Sequence, residues 1–286
     1  MYDEVRRIGH SIIQHGKYNN RIYLMKLHES DAEFILKEIN YLVQKNGYTK
    51  IFAKTPSKLF HYFQQEGGYS VEAEIPLFYN GVEDCLFIAK YLDEERKIIT
   101  RKDQEKINQV LRTAKEKNIS QKPIHTQEFI LKILNKSHIN DLAKLYGRVF
   151  TSYPFPIFSP EYLSETLEGN VKYFGAFYEN ALVAASAAEM DINSGSVEMT
   201  DFATNPRYRG NTLASRLLLL MEQEMSEHDI QTYYTIARAL SYGMNITFSK
   251  AGYSYSGTLK NNTNISGKIE SMNVWFKKKT TMNDRN

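Results

Sequence analysis

The sequence has very little cysteine: Cys85 is the only one among 286 residues. A single thiol excludes an intrachain disulfide and a cluster of thiolates around a metal. Because Cys85 lies in the apolar run 85–89, we predict a buried strand residue rather than a nucleophile. No metal site is predicted, and the composition suits a reducing compartment.

Long hydrophobic runs and an excess of one charge are also missing. No apolar stretch reaches the length of a membrane span, and the first seven residues lack the apolar core of a signal peptide. The 36 basic and 33 acidic residues give a formal charge of +3, far from the strongly basic balance of nucleic-acid binders. We therefore expect a cytoplasmic protein without membrane or nucleic-acid partners. Its oligomeric state stays open, with a homodimer as one candidate.

What the sequence does contain is a succession of strand and helix patterns whose length favours two domains. Residues 1–122 are predicted to form an α/β domain that ends in a charged linker helix over 93–122. The second domain is predicted over 123–280, and 281–286 form a polar tail.

The second domain shows the pattern order β-α-α-β-β-β-α-β-α-β-β, which is typical of an α+β fold on one mixed sheet. The first domain repeats only the second half of this order: strand, helix, strand, short helix, strand, strand. Residues 63–69 also resemble residues 248–253 around the glycine that ends the short helix. We interpret the first domain as a degenerate half-copy that has lost its ligand loop. A chance similarity of α/β elements is the alternative.

The most informative segment is a basic glycine loop, residues 201–214, between a predicted strand and a predicted helix. Pro206 ends the strand, and Gly210 lets the backbone approach an anion closely. Arg207 and Arg209 supply positive charge, and the free N–H groups of the following helix favour phosphate oxygens. The pattern predicts an anion site, with a plain strand-to-helix turn as the alternative. It is neither a P-loop nor a dinucleotide fingerprint, since both glycine spacings are absent.

This loop resembles the acetyl-CoA loop of the GNAT superfamily of N-acetyltransferases. The family pattern Arg/Gln-x-x-Gly-x-Gly/Ala is matched by Arg207, Gly210 and, with a departure, Thr212. The resemblance covers about residues 127–278. The segments that further resemble the β-lysine N6-acetyltransferase family are 198–204, 243–245 and 261–275.

The resemblance implies a GNAT fold, with a central mixed sheet flanked by helices, and acetyl-CoA as the acetyl donor. It implies as acceptor the side-chain amine of a small amino acid, β-lysine, giving N6-acetyl-β-lysine, a zwitterion suited to be a compatible solute. Lysine, ornithine or a polyamine as acceptor, or an acyl-CoA-binding module without catalysis, are the alternatives. The residues expected to contact the cofactor are Phe202, Ala203, Thr204, Arg207, Arg209, Gly210, Asn211, Thr212, Leu213, Ala214, Asn245 and Phe248.

In this family a bulge makes the strand before the loop diverge from its neighbour, and a backbone N–H there polarises the thioester carbonyl. The amine attacks directly. The catalytic candidates are Glu198, Asp201 and Glu189 as bases and Tyr253, Tyr242 or a water as acids. Glu198 and Asp201 lie three residues apart, so they point to opposite faces of a regular strand. Many members of the family have a tyrosine on the last short helix that acts as the general acid. This sequence has Phe248 at that position, which cannot donate a proton.

A β-lysine acceptor carries one carboxylate and two amines. Arginine and tyrosine side chains suit the carboxylate, and polar residues of the last strand suit the spare ammonium. The candidates are Arg148, Arg238, Tyr153 and Tyr162 for the carboxylate and Glu270 and Asn273 for the ammonium.

Overall fold

The computed structural model describes residues 2–116 and 128–279, which we call the N-terminal and C-terminal parts, and each part forms one sheet. The strands of the N-terminal part are β1 (Glu4–Ile8), β2 (Ser11–Gly16), β3 (Arg21–Lys26), β4 (Lys50–Pro56), β5 (Tyr69–Tyr79) and β6 (Glu83–Tyr91). Its helices are α1 (Ala32–Asn46), α2 (Phe60–Glu66), α3 (Glu94–Lys97) and α4 (Arg101–Glu116).

The C-terminal part has the predicted order of elements. Its strands are β7 (Ile130–Ile133), β8 (Val171–Tyr178), β9 (Ala181–Asp191), β10 (Ser196–Thr204), β11 (Thr232–Arg238), β12 (Ser254–Ile265) and β13 (Lys268–Lys278). Its helices are α5 (Ile139–Val149), α6 (Pro160–Glu168), α7 (Leu213–Ser226) and α8 (Tyr242–Lys250). The predicted α+β fold with a central mixed sheet flanked by helices is confirmed, since β10 and β11 are parallel and the other pairs antiparallel.

Local sequence explains where the helices begin and end. Helix α6 begins after Ser159, whose hydroxyl accepts from the Tyr162 N–H at 3.3 Å, and Pro160 occupies its first turn. Helix α1 ends at Gly47, which has a φ of 60° in the left-handed region that glycine adopts without strain. In the described residues no helix is long and apolar enough to cross a membrane.

The two sheets have the same topology. The N-terminal order is β1-β2-β3-β4-β6-β5, and the C-terminal order, read from the other edge, is β7-β8-β9-β10-β11-β13-β12. Without β7 the orders are identical, and each sheet has one parallel pair, joined by α1 in one part and by α7 in the other. The repeat is therefore more complete than the predicted half-copy, which lacked β1 and β2. The charged β1 sequence, exposed at four of its five residues, carries no alternating apolar pattern to reveal it.

The turn between β3 and α1 differs chemically from the corresponding turn between β10 and α7. It contains Glu29 and Asp31 where the C-terminal part has arginines. The Asp31 carboxylate accepts from the His10 N–H and the Ser11 hydroxyl, both at 2.8 Å. An acidic turn disfavours phosphate, so the described N-terminal residues keep the sheet but not the anion loop.

The parts pack against each other along the equivalent edge strands β5 and β12. The Ser256 hydroxyl accepts from the Glu74 N–H at 2.9 Å and donates to the Glu74 carbonyl at 2.6 Å. Apolar side chains of both sheets share one core cluster there, including Phe52, Phe87, Tyr234, Leu259 and Val274.

Cys85 lies in the same shared core and is fully buried. Burial raises the pKa of its thiol to about 12, which makes it a poor nucleophile. The prediction of a buried strand cysteine is confirmed.

The predicted linker helix is two helices, α3 and α4. Ile107 and Val110 of α4 are buried, and Ala114 belongs to the core of the C-terminal part. The predicted domain boundary at 122/123 and the tail at 281–286 lie outside the described residues.

Gly257→Ala is expected to destabilise the protein by about 3 kcal/mol, because a rigid contact across the two parts leaves no room for a methyl group. A Cβ at Gly257 lies 2.1 Å from the Glu72 carbonyl oxygen. The matched control is Gly147→Ala in α5, where nothing lies within 4 Å of the new Cβ. That change should stabilise by about 0.5–1 kcal/mol through helix propensity. Urea unfolding of both variants checks this, and equal effects of the two changes contradict the packing described.

Candidate active site

Strand β10 is interrupted by a bulge between Thr200 and Ala203, where its register against β9 shifts. Asp201 within the bulge has a φ of 55°, in the left-handed region that aspartate tolerates better than most residues. On the other side, the pairing of β10 with β11 stops at Glu198. The strands therefore separate beyond this point, as the family resemblance implies, and leave an opening in the sheet.

The bulge brings Glu198 and Asp201 to the same side of the strand, although regular alternation predicts opposite faces. Together with Glu189 of β9 they line one cavity of about 330 Å³, which we call the acidic cavity. All three candidate bases are thus brought together. The remaining walls come from the segment before α6, from β12 and β13, and from β3 and β4 of the N-terminal part.

Burial raises the pKa of two of these carboxyl groups. The pKa of Glu198 rises to about 7, against the opposing effect of the Lys54 ammonium, which lowers it. The pKa of Asp201 rises to about 6, although the Tyr153 hydroxyl donates a hydrogen bond to its carboxylate. Lys54 itself donates to the Tyr234 hydroxyl at 3.0 Å. A carboxyl group of this kind exchanges its proton near neutral pH.

A second cavity of about 610 Å³ lies over the turn between β10 and α7, and we call it the loop cavity. The Asn205 side chain accepts from the Arg207 N–H at 3.2 Å, and the Asn211 side chain donates to the Tyr208 carbonyl at 3.0 Å, which shapes the turn. Gly210 has a φ of 89°, which favours glycine. The predicted cofactor residues that line this cavity are Phe202, Thr204, Arg209, Gly210, Thr212, Leu213 and Ala214.

Thr212, the departure from the family pattern, has a φ of 53°. It precedes Leu213, the first residue of α7. The family's small residue at this position suits that left-handed conformation better than a β-branched side chain does. Thr212 therefore adopts this backbone conformation at a modest conformational cost.

The two cavities lie on opposite sides of the same stretch of backbone. Asp201 lines the acidic cavity and the next residue, Phe202, lines the loop cavity. On β11, Ile236 lines the acidic cavity and Arg238 the loop cavity. Residues that line the two cavities therefore lie next to one another at the opening between β10 and β11.

Several predicted cofactor residues stand apart from the loop cavity. Ala203 is buried within β10, and the exposed Arg207 does not line the cavity. Phe248 is fully buried and packs against Phe202 with ring centroids 5.6 Å apart. Phe248 thus supports the wall of the cavity without lining it.

The predicted contact of Asn245 with the cofactor is corrected by the hydrogen bonds of this side chain. Its amide nitrogen donates to the Arg238 and Ser241 carbonyls, and its oxygen accepts from the Asn273 amide and the Trp275 indole N–H. These four bonds fill its capacity, so no polar group remains for a cofactor or substrate. The side chain braces α8 against the last strand.

The predicted substrate residues on β11 and β13 are corrected in the same way. Arg238 and Glu270 form a bidentate ion pair, with both N–O distances 2.8 Å, so each neutralises the other rather than a substrate. Asn273 is fully buried between Thr258 and Asn245. Contacts between distant elements occupy Glu270 and Asn273, whereas Arg238 lines the loop cavity and not the acidic cavity.

Of the remaining candidates, Tyr153 and Tyr162 line the acidic cavity, where Tyr153 is bound to Asp201. Arg148 is exposed on α5 and lines neither cavity. Tyr253 packs in the core against Phe248, and burial raises the pKa of its phenol well above the usual value. Neither Tyr253 nor Tyr242 lines the acidic cavity or the loop cavity, which speaks against both as proton donors.

Sequence reasoning missed the residues that the N-terminal part contributes. Arg21 and Tyr23 of β3, and Phe52 and Lys54 of β4, line the acidic cavity. A signal was present, because each pair is separated by one residue and so shares a strand face. A cation on the same face as an aromatic core residue indicates a polar site inside the protein.

A splayed parallel pair, a basic glycine loop at a helix N-terminus and an acidic cavity beneath it define an acyltransferase that delivers a CoA-bound acyl group to an amine. The model of the acetyltransferase (GNAT) family matches residues 137–243. The chain belongs to this family. It is accordingly an N-acetyltransferase acting on a small-molecule amine, with acetyl-CoA as its acetyl donor.

Relatives with similar sequences extend over nearly the whole chain. A β-lysine N(6)-acetyltransferase of Methanococcus maripaludis is 40% identical over 96% of this chain and 98% of its own length. The N-acetyltransferase YodP of Bacillus subtilis is 31% identical over 93% of this chain and 95% of its own length. A β-lysine N(6)-acetyltransferase of Methanosarcina mazei is 32% identical over 73% of this chain and 83% of its own length.

Glu198→Gln is expected to stabilise the protein increasingly as the pH rises. Burial raises the pKa of Glu198 from 4.5 to about 7, so the folded protein binds this proton more tightly than the unfolded chain. The stability that the group contributes is present below pH 4.5 and is lost as the pH rises to about 7. Because glutamine stays neutral, the gain in unfolding free energy should grow by about 2 kcal/mol between pH 5 and pH 8.

Urea unfolding at both pH values measures this difference. The matched control is Glu227→Gln, at an exposed carboxylate, which should show no such trend. A stability gain of Glu198→Gln that shrinks toward pH 8 would contradict the burial described for this carboxylate.

Proposed function

We propose that this enzyme acetylates the N6 amine of β-lysine in the cytoplasm, giving N6-acetyl-β-lysine. The observation that carries the proposal is the acidic cavity, which is lined by three carboxylates and two cations and has Glu198 next to the opening toward the loop cavity. An acceptor with two amines and one carboxylate complements both signs of charge. The substrate named for two relatives, one of them 40% identical over nearly the whole chain, supports the same acceptor.

The acetyl donor fits the loop cavity. The N–H groups at the start of α7 and the charge of Arg209 suit the pyrophosphate, and Gly210 permits its close approach. The opened edge of β10 offers backbone groups to the pantetheine arm in the manner of an added strand. Phe202 lies outside the registers of β10 with both neighbours, and its N–H is our candidate to polarise the thioester carbonyl.

The acceptor amine must lose a proton before it attacks, since a lysine-like ammonium has a pKa of about 10.4. Glu198 is our candidate base, acting directly or through a water. With its pKa raised to about 7, it accepts a proton more readily than an ordinary glutamate and is still ionised at slightly alkaline pH. Asp201, held by Tyr153, lies in the same cavity and stabilises the positive charge that develops on the attacking nitrogen.

The leaving thiolate needs little help. A thiol has a pKa of about 8.5, so a thiolate is a tolerable product near neutral pH and takes its proton from water. This accounts for Phe248 at the position where the family has a tyrosine. The absence of a phenol there is consistent with catalysis rather than with a binding module alone.

A panel of amines tests the proposal, with acetyl-CoA as donor and thiol release as the readout. We expect β-lysine to have a kcat/KM at least about tenfold above that of lysine, ornithine and putrescine, because the contacts to the two ends of the acceptor depend on its length and charges. NMR of the product should show the acetyl group on N6.

Faster turnover of a polyamine would make the acceptor a different amine. Tight binding of acetyl-CoA without turnover of any amine would show a binding module and contradict the proposal.

A further inference from the structure

Arg21 is a buried arginine whose setting differs from that of an ordinary structural arginine. It lies at the start of β3, is 3% exposed and lines the acidic cavity. Its Nη1 donates to the Asn262 carbonyl at 2.6 Å and to the Thr263 hydroxyl at 3.3 Å. These bonds hold the guanidinium at the junction of the two parts with its plane near Tyr23 and Phe52.

The charge of Arg21 is only partly compensated in the described residues, where the Asp3 carboxylate acts on it without direct contact. No carboxylate forms an ion pair with it, and its Nε is buried without a hydrogen-bond partner. Burial lowers its pKa to about 10. A buried cation without an ion-pair partner is costly, so an anion that enters the cavity gains from meeting it.

Two other buried cations of the N-terminal part, Lys50 of β4 and Arg96 of α3, have their polar atoms occupied by partners. Lys50 pairs with Glu72 at 2.9 Å. Arg96 donates through Nε to Asn261, through Nη1 to Thr49 and through Nη2 to Asn19, so all three of its nitrogens are occupied. Neither lines the acidic cavity, which sets Arg21 apart.

A second unpartnered group lies beside Arg21. The side-chain oxygen of Asn262 is buried without a donor, although the backbone of the same residue contacts Arg21. Asn262 also lines the acidic cavity. One corner of the cavity thus offers a spare donor with positive charge and a spare acceptor next to it.

Lys54 is the other cation of the acidic cavity, and its surroundings differ from those of Arg21. Its ammonium is bound to Tyr234 and faces Glu198, whose negative charge it offsets. In the strand register Arg21 is opposite Lys50, so Lys54 lies four residues further along β4. This separation is roughly 13 Å along the strand. The cavity therefore has one end at Arg21 and another at Glu198 and Lys54.

We propose that Arg21, supplied by the part of the chain that lacks the donor loop, binds the carboxylate of the acceptor, while the Asn262 side-chain oxygen accepts from the adjacent ammonium. The inference rests on the proposed function, in which the acceptor is a β-lysine-like amino acid. Its carboxylate and 3-ammonium are neighbours, as the donor and acceptor at this corner are. Its distal amine then extends toward Glu198 and the opening to the loop cavity.

The test compares amines that differ only in the carboxylate. β-Lysine is paired with pentane-1,4-diamine, its decarboxylated counterpart, lysine with cadaverine, and ornithine with putrescine. In Arg21→Gln we expect kcat/KM for β-lysine to fall about 100-fold, mostly through KM, and for the diamine less than about threefold. Both amines are assayed on one preparation, so any loss of folded enzyme cancels in their ratio. Arg21→Lys, which keeps the charge without the fork, should lie between.

The matched control is Arg96→Gln, at a buried arginine of α3 in the same N-terminal part, outside the cavity. It should lower activity toward both members of each pair alike, through stability. Equal losses for β-lysine and the diamine in Arg21→Gln, or no loss for either, overturn the inference. If the wild-type enzyme ignores β-lysine but Arg21→Gln selectively impairs lysine or ornithine over its diamine, the assignment of Arg21 stands and the proposed acceptor fails.

Discussion

The bulge in β10 is the constraint on which the site depends. A regular strand would turn Glu198 and Asp201 to opposite faces and would keep β10 paired with β11 along its length. The shift between Thr200 and Ala203 removes both consequences at once. It turns both carboxylates into one cavity and opens the sheet edge that faces the loop cavity. The left-handed backbone at Asp201 is the local cost of this arrangement, about 1 kcal/mol or somewhat more for a residue other than glycine.

The N-terminal sheet, which repeats the topology of the C-terminal one, also shapes the site. The N-terminal part keeps six strands in the same order but has an acidic turn where the anion loop belongs, so it is unsuited to hold a second donor. Packed edge to edge through β5 and β12, it closes the acidic cavity from the other side. There it contributes Lys54 next to Glu198 and the unpaired Arg21 at the far end. The duplicated sheet thus forms a wall of the acidic cavity, where its cations line the same space as the carboxylates of the C-terminal part.

Much of the C-terminal part was predictable from sequence because its signals are local. Pro206, Gly210 and the apolar face of α7 mark a strand, a loop and a helix without reference to anything distant. The bulge was implied by the family and not by the residues. Arg238 and Glu270 were predicted to bind substrate because nothing local shows that they bind each other across 32 positions. For Lys54 the strand alternation with Phe52 was a local signal of a buried position, but its role comes from a contact with Tyr234, 180 residues away. Long-range pairing decides which polar residues are free, and one sequence does not reveal it.

Burial raises the pKa of Glu198 in the C-terminal part, and the Lys54 cation of the N-terminal part lowers it. The most direct measurement of this effect is the pH dependence of kcat/KM for Lys54→Met, beside Lys26→Met, which removes a surface cation paired with Asp191. In the wild-type enzyme the acidic limb should lie near the Glu198 pKa of about 7. Because the Lys54 charge lowers that pKa, its loss should move the limb to higher pH, while Lys26→Met leaves it in place. A limb that stays near 7 or moves to lower pH in Lys54→Met would contradict the account.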